Sequence, residues 1–248
     1  MTAQGDKSSS WGAGGQFAAT RWSLVLAAGG AQAGTVRRKA LEELARAYWV
    51  PLYAYIRRQG STHEQAEDLT QEYFSRMLEK DSLASVDRSK GKFRSFLLAS
   101  LKHFLANERD RARARKRGGG LAHIALDSLT AAARYALEPA DEMTPERLFD
   151  RQWALAVLEE VLGRLREQYR REGKTDLFEG LKDCLTAGAE QPPHAEVARK
   201  LRLSPGAVKV AAHRLRRRYR ELLRDEIAQT VASPQDVQEE IAYLLNCL

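Results

Sequence analysis

The chain has 248 residues, 44% of them hydrophobic and 29% charged, with a formal net charge of +7. That length holds two modest helical domains or one large one, and the apolar content suffices for real cores. No apolar run approaches the roughly 20 residues that a membrane-spanning helix needs, and the opening MTAQGDKSSSWGAGGQ lacks the basic-then-apolar layout of a secretory signal. Cys184 and Cys247 are too few and too unpatterned for a disulfide framework or a zinc site. The expectation is a reduced, cytoplasmic protein that binds no membrane, metal or cofactor.

Helical periodicity dominates and no convincing alternating strand appears, so an all-α fold is expected. Residues 1–16 are Gly/Ser-rich and read as disordered. Phe17 to Ala28 reads as a short helix capped by Thr20. Leu41, Leu44, Ala45, Tyr48, Leu52, Tyr55 and Ile56 then form one apolar face, bent near Pro51 and ended by Gly60 and Ser61. A helix from about Thr62 to Glu79 buries Ala66, Leu69, Tyr73 and Met77, and a polar loop over Asp81–Lys92 follows. Phe93, Leu97, Leu101, Phe104 and Leu105 stripe a long helix that runs into ERDRARARKR.

Gly118–Gly120 open a weakly periodic linker over 118–145. The triple glycine follows no strand and precedes no Lys-Ser/Thr pair, so it is not a phosphate-binding loop. From Glu146 a helix carries Leu148, Trp153, Leu155, Val157, Leu158, Val161, Leu162 and Leu165, and another spans Lys174–Leu185. The division expected is therefore a first helical domain at 17–117, the flexible linker, and a second domain at 146–224. Residues 225–248 form an acidic amphipathic extension with five acids and no Lys or Arg. Its last helix starts at Ser233 and Pro234 and puts Val237, Ile241, Leu244, Leu245 and Leu248 on one side. Such a helix needs an apolar surface to cover. It either packs on the chain's own domain or clamps a basic helix.

The charge is concentrated in two places. Ala106–Arg117 carries a net +4 and Lys209–Arg224 a net +6, which leaves the remainder at −3. Two separate contacts with a polyanion follow from that placement. The second cluster lies in HAEVARKLRLSPGAVKVAAHRLRRRYRELLR, which reads as a short helix, a tight turn and a long basic helix. This is the sequence form of a DNA-reading helix-turn-helix. Ser204 caps the second helix and Pro205 suits its first position. Ala198, Leu201, Val208 and Leu215 lock the pair, while Lys209, His213, Arg214, Arg217 and Arg218 lie on or near the exposed side. Such a helix can enter a major groove with its N-terminal residues on base edges and its arginines on phosphate.

Residues 68–74, DLTQEYF, put Leu69 and Tyr73 toward the core, leaving Asp68, Gln71, Glu72 and part of Phe74 as a polar patch with an apolar centre. That composition suits a protein–protein contact as well as an ordinary solvated face. EQAEDLTQEYFSRMLE, then KGKFRSFLLASLKHFLANERDRARARKR, then AEVARKLRLSPGAVKVAAHRLRRRYREL, in this order, resemble the bacterial RNA polymerase sigma factor family. The likeness is to its two-domain extracytoplasmic-function type and runs from about Leu41 to Arg224, interrupted by the linker.

The resemblance implies a region-2-like domain at 17–117 and a region-4-like helix-turn-helix domain at 146–224. Asp68, Leu69, Gln71, Glu72 and Phe74 would contact core RNA polymerase. Lys92, Phe93, Arg94 and Phe96 would face the melted minus-ten strand, with Asn107, Arg109, Arg111 and Arg113 on the neighbouring backbone. Ser204, Gly206, Lys209, His213, Arg214 and Arg217 would read or clamp the double-stranded minus-thirty-five element. Promoter opening needs a polyanion grip and an aromatic-rimmed pocket for an unstacked base. Phe93 and Phe96 also fall on an apolar stripe, which assigns at least one of them to the core.

The chain departs from the family pattern in four respects. Arg202 stands where many members carry Gly, REGKTDLFEGLKDCLTAGAEQPP is longer than the usual connection, the acidic extension is additional, and the intermediate domain of the housekeeping factors is absent. Control would rest with an anti-sigma partner or with self-inhibition by residues 225–248. An enzyme is not expected: Asp68 and Glu72 sit beside Gln71 with no histidine or lysine to complete a hydrolytic site, and no Ser-His-Asp, HExxH or nucleotide-binding signature occurs. The competing reading is a helix-turn-helix regulator that binds operator DNA without joining the polymerase.

Overall fold

A computed structural model describes residues 22–29, 34–79, 83, 86–87, 91–115, 143–185 and 194–248. Among these residues every regular element is helical, and no strand occurs. In chain order they are α1 (Trp22–Gly29), α2 (Gly34–Arg58), α3 (His63–Glu79), α4 (Phe93–Arg115), α5 (Pro145–Arg171), α6 (Thr175–Leu181) with a 3₁₀ turn at Lys182–Leu185, α7 (His194–Leu201), α8 (Pro205–Ala228) and α9 (Asp236–Asn246). The expected disordered start, the Thr20 cap, most of the Asp81–Lys92 loop and the linker at 118–142 lie outside the described residues.

Local chemistry sets the helix starts. Thr62 and Gln65 cap α3 reciprocally, with the Gln65 amide donating to the Thr62 hydroxyl at 3.2 Å and the Thr62 amide to Gln65 Oε1 at 3.0 Å. The Thr144 hydroxyl accepts from the Arg147 amide at 3.3 Å ahead of α5, whose first residue is Pro145. Helix α2 continues through Pro51, which is buried and leaves one backbone carbonyl of the preceding turn without its helical donor.

Helix α2 is the central member: α1, α3 and α5 all pack on it, and α5 in turn carries α8. Tyr48, Leu52, Tyr55 and Ile56 are each at most 1% exposed. The Tyr48 ring lies stacked over Phe149 of α5 at 6.4 Å and meets Phe93 of α4 edge-on at 5.7 Å. Polar contacts cross the same seam, Arg58 Nε donating to the Met143 carbonyl at 2.8 Å and Lys102 pairing with Glu146 at 2.8 Å. Among the described residues, the buried apolar side chains before and after the glycines fall in one core cluster. The reason is that α2 has apolar residues on more than one face: Ala47, Trp49, Tyr53 and Ala54 are buried beside the predicted stripe. Each large side chain buried at such a seam contributes about 1.5–3 kcal/mol.

The C-terminal helix departs from its predicted face. Val237 and Leu244 are buried and Ile241 packs against the core, but Leu245 and Leu248 are 55% and 49% exposed. Glu240, at 1% exposed, takes part of the buried stripe instead. At the other end of the chain, Trp22 donates its amide to the Gln229 carbonyl and its indole N–H to the Thr230 carbonyl, both at 3.1 Å. Helix α1 is thus pinned to the end of α8.

Arg202 adopts φ 55°, the left-handed region. The Leu203 amide donates to the Ala198 carbonyl at 3.0 Å and the Arg202 amide to the Arg199 carbonyl at 3.4 Å, which is the Schellman ending of α7. A non-glycine residue there is disfavoured by roughly 1 kcal/mol or somewhat more. Arg202→Gly is therefore expected to stabilise the fold by about that amount, net of the greater freedom of glycine in the unfolded chain. An unchanged or lowered unfolding midpoint in urea would show that the Arg202 side chain offsets the backbone term.

Candidate nucleic-acid interface

The turn just described delivers the chain to α8 with its first turn open. The Ser204 hydroxyl accepts from the Ala207 amide at 3.2 Å and Pro205 occupies the first helical position. Val208, Ala212 and Leu215 are wholly buried and, with Val197 and Ala198 of α7, hold the two helices together. This inward row places Ser204, Gly206, Lys209, His213, Arg214 and Arg217 on the outside, where all six are exposed. A side chain at Gly206 would meet nothing within 4 Å, so this glycine is not required by the chain's own packing.

Neighbouring groups restrain part of that cationic row. Arg217 Nε donates to Glu221 at 2.8 Å, and Arg218, half-buried, pairs with Glu172 at 2.8 Å while lying 5.3 Å from the Tyr169 ring centre. Exposed ion pairs of this kind contribute little, so Arg217 can exchange Glu221 for a phosphate. A groove of about 640 Å³ runs beside the helix, its lining including Leu177, Val210, Ala211, Arg214 and Arg217. Val210 is 51% exposed among these cations and Leu203 40%. Sequence reading passed over both. The signal was available for Val210, because Ala207, Val210 and Arg214 follow helical spacing along the outer face. An apolar side chain there has the chemistry to meet a thymine methyl group.

The second basic segment is more varied. Asn107, Arg109 and Arg111 are exposed on α4, and the backbone of Arg113 is helical while its side chain lies outside the described residues. Arg109 donates to Gln59 Oε1. Glu108 receives Arg76 at 2.6 Å and Arg111 at 2.8 Å. Burial alone would raise the Glu108 carboxyl, but the hydrogen bonds and charge of Arg76 and then Arg111 hold it below its ordinary value. Some of the local positive charge is therefore already balanced within the fold.

The start of α4 is occupied by other parts of the chain. Phe93, at 2% exposed, packs edge-on against Tyr48 and against Trp22, so it is a core residue and is not turned outward. Phe96 is half-buried beside it at 5.9 Å. Arg94 is 6% exposed and Lys92 half-buried. Both lie against Glu240 of α9, and Arg94 also approaches Asp150 of α5 at 3.5 Å. Burial, and next the charge of Arg94, push the Lys92 ammonium below its usual range. The physical reason for this covering is long-range: acids more than fifty residues away arrive with α5 and α9.

On α3, Asp68 is exposed, and Leu69, Gln71 and Glu72 are half-buried. Glu72 pairs with Arg76 at 2.8 Å. Phe74 is only 8% exposed and stacks on Trp49 with ring centres 6.1 Å apart and planes 12° from parallel. It is a part of the core and not a projecting anchor, because α2 offers Trp49 outside its predicted stripe. Phe74→Ala is accordingly expected to destabilise the fold by about 3–5 kcal/mol, as measured by denaturant unfolding. A loss below about 1 kcal/mol, the range of ordinary surface substitutions, would place Phe74 at the surface.

Among the described residues no group of three or more His, Cys, Asp or Glu side chains is arranged to hold a metal ion, and no helix is long and apolar enough to cross a membrane. Comparison with protein-family models finds no match, and comparison with curated proteins and with solved structures finds none either.

Proposed function

We propose that this chain is a promoter-specific transcription initiation factor of the sigma type, non-enzymatic and cytoplasmic, that joins core RNA polymerase and directs it to DNA. The observation that carries this reading is the outer face of α8, where Lys209, His213, Arg214 and Arg217 are all exposed behind a capped and open first turn. In this reading α7 and α8 are the helix-turn-helix of a region-4-like unit. The N-terminal turns of α8 enter the major groove at the minus-thirty-five element, with Lys209, His213 and Val210 toward base edges and Arg214 and Arg217 toward phosphate.

The helices before the linker form the region-2-like unit. Asp68, Gln71 and Glu72 on α3 contact the polymerase, with half-buried Leu69 supplying apolar area. Asn107, Arg109 and Arg111 hold the backbone beside the minus-ten element. Lys92, Arg94 and Phe96 meet the melted strand once they are uncovered. The burial of Phe74 favours a second reading, a helix-turn-helix regulator that binds operator DNA alone, because it removes the aromatic centre of the polymerase-binding patch.

The two readings separate on mixing the purified protein with core RNA polymerase. The initiation factor co-elutes with the core enzyme and makes it start at a defined promoter; the regulator does neither. Arg214→Ala and Arg217→Ala are each expected to weaken duplex binding and to lower the log–log salt slope by roughly 0.9 for every phosphate that is no longer neutralised. A slope unchanged in both variants would put the DNA-binding groups on another surface.

A further inference from the structure

Glu240 is the most thoroughly buried charge on α9, at 1% exposed, and it faces two cations from the start of the α4 region. One of its oxygens lies against the Lys92 ammonium and both lie near the Arg94 guanidinium. That guanidinium is held between two rings, 4.3 Å from the Trp153 centre on α5 and 4.6 Å from Tyr243 on α9. The Tyr243 ring also covers Lys92 at 5.3 Å, and its hydroxyl donates to Asp150 at 2.6 Å. One residue pair on α9, Glu240 and Tyr243, therefore masks both cations together with the carboxylate and the aromatic ring that flank them.

This is a weak way to stabilise a helix. A buried ion pair recovers its desolvation penalty only in part, and an apolar residue of similar size would hold α9 at least as well. What an ion pair adds is exchangeability. A carboxylate on Lys and Arg is chemically a stand-in for a phosphate, and the cations accept either. The remaining apolar contacts of this end of the chain come from buried Val237 and Leu244 and partly buried Ile241 and Cys247, whereas Tyr243, Leu245 and Leu248 keep 37%, 55% and 49% of their surface. An 11-residue helix is not stable by itself, so α9 is ordered by docking here and unravels when released.

We propose that α9 is an intramolecular inhibitor whose Glu240 and Tyr243 occupy a single-strand-binding edge made of Lys92, Arg94, Phe96 and Trp153. With α9 displaced, two cations would stand beside two aromatic rings, the composition that grips a phosphate backbone and stacks an unpaired base. The inference rests on the reading of Lys92, Arg94 and Phe96 as the surface for the melted strand. It adds that the free chain is held closed, and that Trp153, on the far side of the linker, belongs to that surface.

The test uses the full chain, a fluorescent oligothymidine as single-strand probe, duplex DNA as a second probe, and hydrogen exchange over Asp236–Asn246. Glu240→Gln is expected to speed exchange in α9 and to tighten oligothymidine binding by about tenfold, the factor by which a largely closed equilibrium is relieved. Glu42→Gln, at an exposed position on α2 paired with Arg38, makes the same change of charge and should leave both unchanged. Tyr243→Phe changes no charge, loses the hydroxyl's bonds to Asp150 and to Cys247, and should give a smaller gain in the same direction. It also decides the matter if Glu240→Gln fails to fold.

Faster exchange in α9 with no gain in oligothymidine binding would overturn the proposal, as would an equal gain in Glu42→Gln. If duplex binding through α8 is intact while no variant gains single-strand affinity, the inhibitor fails and the initiation-factor reading survives. If the wild-type chain and all variants bind neither probe, both fall together.

Discussion

The packing of α5 onto α2 is the interaction on which the remaining arrangement depends. Phe149 reaches Tyr48, and through Tyr48 the same core continues into Phe93 and Trp22. Because α5 is fixed there, Asp150 beside Phe149 and Trp153 one turn on come to the start of α4, and α5 also carries α8. The far end of α8 then receives Trp22, and α9 folds back toward Lys92 and Arg94. Remove the α2–α5 seam and neither the exposed cationic row nor the covered one keeps its place.

Two basic surfaces result, and their electrostatic states differ. On α8 the cations face solvent, with partners that are themselves exposed and easily exchanged. At the start of α4 the cations are enclosed and balanced by Glu240 and Asp150. A polyanion would find the first surface ready and the second occupied. Under the proposed function this asymmetry would order events, with duplex binding first and single-strand binding after α9 yields.

Much of the fold was legible in local sequence. The α3 face of Ala66, Tyr73 and Met77, the Ser204 cap, and the inward row of Val208 and Leu215 follow from spacing and capping chemistry, which act over a few residues. The exposed face of α8 followed from the same periodicity. What escaped was set by distant partners. Phe74 goes inward because Trp49 lies off the main stripe of α2. Arg94 is enclosed because Glu240, 146 positions later, meets it, and that same pairing turns α9 so that Leu245 and Leu248 face outward. Arg202 marks an intermediate case. The turn demanded a left-handed residue, and the arginine adopts that conformation without glycine's freedom.

The central claim, that the outer face of α8 is where this protein meets DNA, is tested most directly by placing a photo-crosslinking amino acid at Val210 and irradiating the full chain with duplex DNA. The account predicts a covalent adduct that grows with DNA occupancy and disappears as salt releases the duplex. A chain that binds the duplex yet gives no adduct from Val210, while a label at exposed Val36 on α2 does, would contradict it.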